Sequence, residues 1–233
     1  MIDIHSHVIF GVDDGAKTLE DSLALLKESK KQGVDCVYAT PHFYTMDSDI
    51  ETYKEKVNKN FNELKSNAQG EEYPEIYLGC ELHYFRGIHK SQNLRDFALE
   101  GTDFILIELD HTEFTKKILD DIEDIPWYSG LKPILAHIER YSKCKGFDKL
   151  LKLIDHENIF SQITANSLFD NDYHKKTAIK LLKKGYVDFI ASDMHNIKKR
   201  PPKMELAYKS LQKEIGVNKA EQFFSNSQNI MKK

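Results

Sequence analysis

Residues 1–17 read MIDIHSHVIFGVDDGAK. A strand destined for a core is built from Val, Ile and Leu. This one begins that way at Ile2 and Ile4, then turns polar at His5, His7, Asp13 and Asp14. Side chains of that kind at the end of a first strand need a reason, and similar residues further along supply it. Short apolar, β-branched runs recur at Cys36–Thr40, Ile76–Glu81, Phe104–Leu109, Pro133–His137, Phe160–Thr164 and Val187–Ser192. With Ile2–His5 they make seven candidate strands.

Amphipathic stretches fill the gaps. Thr18 and Asp21 form a capping-box pattern ahead of Leu19, Leu23 and Leu26, and Gly33 stops that helix. Ile50, Tyr53, Val57, Phe61 and Leu64 mark a second helix. Ile118, Ile122 and Ile125 mark a third, which Pro126 ends. Leu150, Leu151 and Ile154 predict a fourth, and Ile179, Leu181 and Leu182 a fifth that closes at Gly185. Pro201 and Pro202 suit the first turn of a helix running to about Ile215, and a last one covers Ala220 to Ile230. Strand–helix alternation means a parallel sheet with helical crossovers. Seven such units predict an α/β protein whose residues 1–233 form one domain, a closed or nearly closed barrel, with an open doubly wound sheet as the alternative.

Composition narrows the function. The chain has 233 residues, 40% hydrophobic and 30% charged, which suits a globular fold rather than a disordered one. Its formal net charge is -4, so no nucleic-acid partner is expected. No apolar run is long enough to insert in a membrane, and no basic-then-apolar leader begins the chain. Three widely spaced cysteines, Cys36, Cys80 and Cys144, fit reduced thiols, and the expected location is cytoplasmic. The terminal helices leave room for an oligomer.

The strand ends carry the chemistry. His5 closes the first strand, with His7 and Asp14 in the loop beyond. The second runs into His42, the third ends at Glu81, the fourth at Glu108, the fifth at His137, and the seventh at Asp193 and His195. The sixth offers only Gln162 and Asn166. In an α/β barrel these positions share one face, where sites are built. A single histidine at a strand end is ordinarily a satisfied core or loop residue; nine coordinating residues at the same end of six strands are a metal site. Five imidazoles and four carboxylates with no thiolate suit Mn, Fe, Zn or Mg. At about four to six ligands per ion they suit two or three divalent ions. Only four of the 33 basic residues are Arg: Arg86, Arg95, Arg140 and Arg200. Arg140 and Arg200 each follow a ligand closely, and a guanidinium fork matches phosphate oxygens.

The stretches HSHVIFGVDDG, TPH, GCE, AHIERY and SDMHN followed by RPP resemble the PHP (polymerase and histidinol phosphatase) family. They are most similar to its bacterial metal-dependent protein tyrosine phosphatases of capsule and exopolysaccharide clusters. The resemblance runs from residue 1 to about residue 230. It implies a distorted, TIM-like (β/α)7 barrel and a manganese-preferring trinuclear site. One ion would be held by His5, His7, Glu81 and Asp193. A second would be held by Glu81, Glu108 and His137, and a third by Asp14, His42 and His195. Arg140 and Arg200 would bind the substrate phosphate and act in catalysis. It further implies hydrolysis of phosphotyrosine on a phosphoprotein partner, a tyrosine autokinase. Residues 43–48 and 111–117 match no pattern and are expected to face the substrate.

In the expected mechanism a metal-activated hydroxide attacks phosphorus in line, and His42 or another site histidine is the candidate acid. Tyrosine, with a pKa of about 10, needs little help to leave. Two other readings stand beside this one: a PHP phosphatase for a small phosphomonoester such as histidinol phosphate, and a non-catalytic metal-binding regulatory module. Retention of all nine ligands argues against the latter. Cys80 and Arg86 satisfy the C-x5-R spacing of cysteine-dependent tyrosine phosphatases. The five residues between, Glu, Leu, His, Tyr and Phe, are too large for a loop that wraps phosphate with its backbone, and Cys80 lies in an apolar run. His83, His89, His111, His156 and His174 are expected in loops or on the surface.

Overall fold

The computed structural model describes residues 1–155, 157–169 and 173–230, with the side chains of 228 and 229 excepted; His156 lies outside the described residues. The expected strands are all present, but two are broken. Strands β1 (Ile2–Asp3), β2 (Cys36–Ala39), β3 (His42–Phe43), β4 (Glu75–Leu78), β5 (Glu81–His83), β6 (Phe104–Glu108), β7 (Lys132–Leu135), β8 (Phe160–Thr164) and β9 (Phe189–Ala191) divide into two sheets. Their orders are β1-β2-β4 and β3-β5-β6-β7-β8-β9, with every pairing parallel. β2 and β3 are halves of one run, broken at Thr40–Pro41. β4 and β5 are halves of another, broken at Gly79–Cys80.

Both breaks have local causes. Pro41 has no N–H to give a ladder. At Gly79 a Cβ would meet Leu99 Cδ2 at 2.6 Å, so the chain bends where it runs close against the Leu99 side chain. Because β2 pairs with β4 and β3 with β5, the halves stay side by side and the seven-strand count survives. The break also sets His42 opposite Glu81 in the ladder. The wall meets itself where Asp193 N–H donates to the His5 carbonyl and His7 N–H to the Met194 carbonyl, both at 2.9 Å. A single bridge, Ser6 to Met194, is all the sheet pairing at that seam, hence the distortion of the (β/α)7 barrel.

Helices α1 (Leu19–Lys31), α2 (Ile50–Asn67), α3 (Lys116–Glu123), α4 (Ile125–Ser129), α5 (Phe147–Ile154), α6 (Lys175–Lys183), α7 (Met204–Ile215) and α8 (Val217–Ile230) form the crossovers and the C-terminal end. The capping box at Thr18 is present, with Asp21 N–H donating to Thr18 Oγ1 and Thr18 N–H to Asp21 Oδ2, each at 3.2 Å. Pro126 does not end a helix. α3 stops at Glu123 and Pro126 occupies the first turn of α4, where a missing N–H costs nothing. Pro201 and Pro202 likewise precede α7, whose N-cap is Lys203.

Alternate strand residues divide the core. Val37, Ala39, Ile105, Ile107, Leu135, Ile163 and Ile190 pack outward with the helices, among them Leu25, Phe61 and Leu150. Ile4, Tyr38, Leu106, Ile134, Ala136, Phe189 and Ala191 form a second cluster that fills the barrel. Each such buried Leu or Ile is worth about 1.5–3 kcal/mol. The filled interior leaves the C-terminal strand ends as the rigid rim on which polar side chains stand.

Candidate metal centre

All nine predicted residues converge on that rim. Glu81, only 1% exposed, lies at the middle. Its Oε2 is 3.1 Å from His5 Nε2, His7 Nε2 and His42 Nδ1, and its Oε1 is 2.8 Å from His137 Nε2. Asp193 Oδ1 stands 3.6 Å from His5 Nε2 and 3.5 Å from His7 Nε2. Glu108 approaches His137 at 3.6 Å and His42 at 3.7 Å. Asp14, 64% exposed on the open side, is 3.2 Å from His195 Nε2 and 3.7 Å from His42 Nε2.

Three sets bring donor atoms within 4.8 Å of one another: His7, Asp14, His42 and His195; His5, His7 and Glu81; and His42, Glu81 and Glu108. His7 thus reaches the set expected for the third ion, and His42 stands nearer Glu81 and Glu108 than the resemblance implied.

The backbone is bent to make this possible. His137 (φ 35°, ψ 52°) and Asp193 (φ 52°) are left-handed, a conformation that costs a non-glycine residue about 1–3 kcal/mol. His137 N–H donates to Gln162 Oε1 at 3.0 Å and Asp193 N–H to the His5 carbonyl, which hold both turns in place.

A surrounding layer of acceptors sets the imidazoles. His5 Nδ1 faces Gln162 Oε1 at 3.2 Å, His7 Nδ1 faces Asp13 Oδ2 at 2.7 Å, and His195 Nδ1 faces the Asp193 carbonyl at 3.0 Å. In each ring Nδ1 faces an acceptor, so Nε2 is turned to the centre, the orientation metal-ligating histidines require; without a cation there, burial is outweighed by the neighbouring carboxylates, which favour protonation of His5 and His7. Asp13 also accepts from Gly15 N–H at 2.9 Å and His42 N–H at 3.1 Å. Tyr44 donates its hydroxyl to Glu108 Oε2 at 3.1 Å and is 3.3 Å from His42 Nδ1. Asp13 is one of the polar residues that mark the first strand's end but is not among the expected ligands, and Tyr44 carries no signal in the sequence. The tandem Asp13–Asp14 was the one available signal.

Charge balance accords with a cation-binding centre. Burial opposes ionisation of Glu81, but His5, His137 and His7 outweigh it and hold the carboxyl well below its ordinary range. Asp193 is also held low against burial, by His5, His7 and the two arginines. Burial and the Glu81 charge push Glu108 up to about 7. Burial brings His42 down to about 4 and lowers His137 and His195, so these rings are neutral at pH 7, which suits a ligand better than a proton donor. Three imidazole nitrogens crowd one oxygen of Glu81, and His195 Nε2 stands 3.2 Å from Asp14 Oδ1. Lone pairs and carboxylates gathered this way fit divalent cations.

Arg140 and Arg200 both hydrogen-bond Asp193 Oδ2, Arg200 at 2.7 Å. Each is part-exposed, leaving donors for a ligand. Cys80 is 2% exposed, its thiol pushed up by burial and hydrogen-bonded by Tyr53, while Arg86 lies exposed. The C-x5-R spacing forms no phosphate loop. His83 pairs with Asp110, His89 is buried against Asp121, and His111 packs on Tyr141. None of these, nor His174, joins the cluster.

The sequence model of the capsular polysaccharide synthesis CpsB/CapC family matches residues 1–232. The chain is 37% identical over 242 residues to the tyrosine-protein phosphatase CpsB of Streptococcus agalactiae serotype III (strain NEM316), covering 100% of this chain and 98% of that one. It is 34% identical to the tyrosine-protein phosphatase CpsB of Streptococcus pneumoniae, covering 96% and 95%. A crystal structure from work on YwqE of Bacillus subtilis and CpsB of Streptococcus pneumoniae, described as metal-dependent tyrosine phosphatases, superposes with a TM-score of 0.83 at 25% identity, over 99% and 94% of the two chains.

Proposed function

The chain belongs to the CpsB/CapC family, and from that premise we infer that it is a metal-dependent tyrosine phosphatase. The observation that carries the reading is that Gln162, Asp13 and the Asp193 carbonyl face Nδ1 of His5, His7 and His195, which turns the three Nε2 atoms towards Glu81, Asp193 and Asp14. His5, His7, Glu81 and Asp193 would hold one ion, Glu81, Glu108 and His137 a second, and Asp14, His42 and His195 a third, with manganese the preferred metal. Bound there, the ions supply Lewis acidity, drawing charge from the phosphoryl oxygens and lowering the pKa of water to about 7.

The protein's own groups do the rest. Arg140 and Arg200 present guanidinium N–H groups to the phosphoryl oxygens and steady the charge that builds on them. Asp193 orients both forks through one carboxylate oxygen. Asp13 and Gln162 keep His7 and His5 in the ligating orientation. The tyrosine oxygen leaves readily, its pKa being about 10. The physiological substrate is a phosphotyrosine protein of capsule or exopolysaccharide synthesis, a tyrosine autokinase, met in the cytoplasm. Among the described residues no helix is long and apolar enough to cross a membrane.

The test compares hydrolysis of a phosphotyrosine peptide and of histidinol phosphate, with manganese and with EDTA. Peptide turnover that EDTA abolishes and manganese restores is the expected result. Preference for histidinol phosphate would leave the metal centre and overturn the substrate.

A further inference from the structure

A pocket of about 290 Å³ opens beside the metal cluster on the side of the two arginines. Its wall includes Arg140, Asn166, Lys199, Arg200 and Lys203. Arg140 and Arg200 share the Asp193 carboxylate, and Arg200 has a longer contact with Asp14 at 3.8 Å. Lys199 and Lys203 have no carboxylate partner among the described residues. Elsewhere lysines pair, as Lys30 with Asp35, Lys54 with Asp96 and Lys209 with Glu205. Asp193 balances part of the charge of the two arginines, which leaves the Lys199 and Lys203 ammonium groups as the uncompensated charge on the wall, and an anion between them relieves it.

The pocket is also held in shape. Beneath it the Thr164 and Ser167 hydroxyls turn away, both donating to buried Glu139 Oε1 at 2.7 and 2.6 Å. That leaves the cations on the wall as the donors for a ligand, together with Asn166 and His174, which also line the pocket. Lys203 Nζ lies 5.3 Å from the Phe169 ring centroid, a cation–π contact that fixes the ammonium on the wall. Lys203 is itself left-handed (φ 29°, ψ 26°), an unfavourable backbone for a long side chain.

We propose that this pocket is a second oxyanion subsite, which takes the carboxylate or phosphate of a residue flanking the phosphotyrosine under hydrolysis. The proposal rests on the phosphatase reading above and adds substrate selection to it. Arg140 and Arg200 line the pocket and contact the cluster through Asp193, so a substrate carrying two oxyanions engages both sides of the same pair of guanidinium groups. The chemistry required is a second negative oxygen group close to the scissile one, whether an Asp or Glu side chain or another phosphotyrosine.

The experiment measures kcat/KM with manganese for three peptides: phosphotyrosine with neutral flanks, with an acidic flank, and with a second phosphotyrosine. Wild type is compared with Lys199→Met/Lys203→Gly; glycine suits the left-handed backbone at 203. Wild type is expected to favour an anionic peptide by about tenfold through KM, the worth of a charge-assisted contact. The double variant should lose that preference and hydrolyse the neutral peptide as wild type does, and added salt should weaken the wild-type preference. The anionic peptide favoured identifies the source of the oxyanion. Equal kcat/KM for all three in wild type, or a preference that survives both substitutions, overturns the subsite. Failure to hydrolyse any of the three removes the phosphatase reading and the subsite with it.

Discussion

Asp13 is the side chain whose removal separates holding a metal ligand from being one. Its carboxylate is buried, with Oδ2 at 2.7 Å from His7 Nδ1 and 3.1 Å from His42 N, and Oδ1 at 2.9 Å from Gly15 N. Asp13→Ala removes all three bonds. The backbone N–H groups of Gly15 and His42 are then left without an acceptor, at about 1–3 kcal/mol each, so the metal-free protein loses about 2–6 kcal/mol of stability. His7 is freed to take either tautomer. Losing such an outer partner lowers metal affinity about 10–100-fold, or about 1.4–2.7 kcal/mol. Asp13→Asn keeps one acceptor face towards His7 and is expected to fall between. The assay is a competition titration with manganese, followed by kcat/KM at saturating metal. A weakened affinity with activity partly recovered by excess manganese is the expected result. A folded Asp13→Ala protein with wild-type affinity and activity would refute the reasoning.

Three further perturbations have defined outcomes. Cys80→Ser should keep phosphotyrosine hydrolysis within about twofold, and iodoacetamide should leave the wild type active, because a buried thiol with a raised pKa is not a nucleophile; inactivation that tracks alkylation of Cys80 would contradict this. Asp3 is buried with Oδ2 unpartnered, and burial pushes its carboxyl from 3.8 up to about 6. Its raised pKa means the folded state binds the proton more tightly, so its contribution is intact below about pH 4 and lost as pH rises through about 6. In EDTA, denaturant titrations should therefore show Asp3→Asn gaining on wild type by up to about 3 kcal/mol between pH 4 and pH 7.5, and a constant difference would sink the assignment. At Gly15 a Cβ would lie 2.2 Å from the His7 carbonyl oxygen and 2.5 Å from His7 Cβ, so Gly15→Ala should cost about 1–3 kcal/mol and weaken manganese binding, both read from a thermal melt with and without the metal.

The sequence announced this fold because parallel strands buried on both faces read as short apolar runs, and because the site is built where those runs stop. His5, Glu81 and His137 are each the last residue of an expected strand, and Glu108 is the last but one. What lay hidden depends on three-dimensional neighbours. Pro41 and Gly79 look like ordinary loop residues, and only their adjacency across the sheet shows that they break two paired strands together. Asp13 and Asp14 are indistinguishable by type. One faces inward to His7 and the other outward to His195, a difference fixed by the turn at Gly15. Tyr44 lies in a loop without pattern, and its role comes from Glu108, far along the chain. Gln162, the least expected member by residue type, serves two histidines at once.

The central claim is that these strand ends hold two or more metal ions around Glu81. The most direct test is metal content per chain, by elemental analysis of manganese-loaded and dialysed protein, for wild type and Glu81→Gln, with phosphotyrosine hydrolysis measured on the same samples. About two to three ions in wild type, with more than one ion and the activity lost together in the variant, is the predicted result. One ion or none in active wild type, or a Glu81→Gln protein that keeps its full complement, would contradict it.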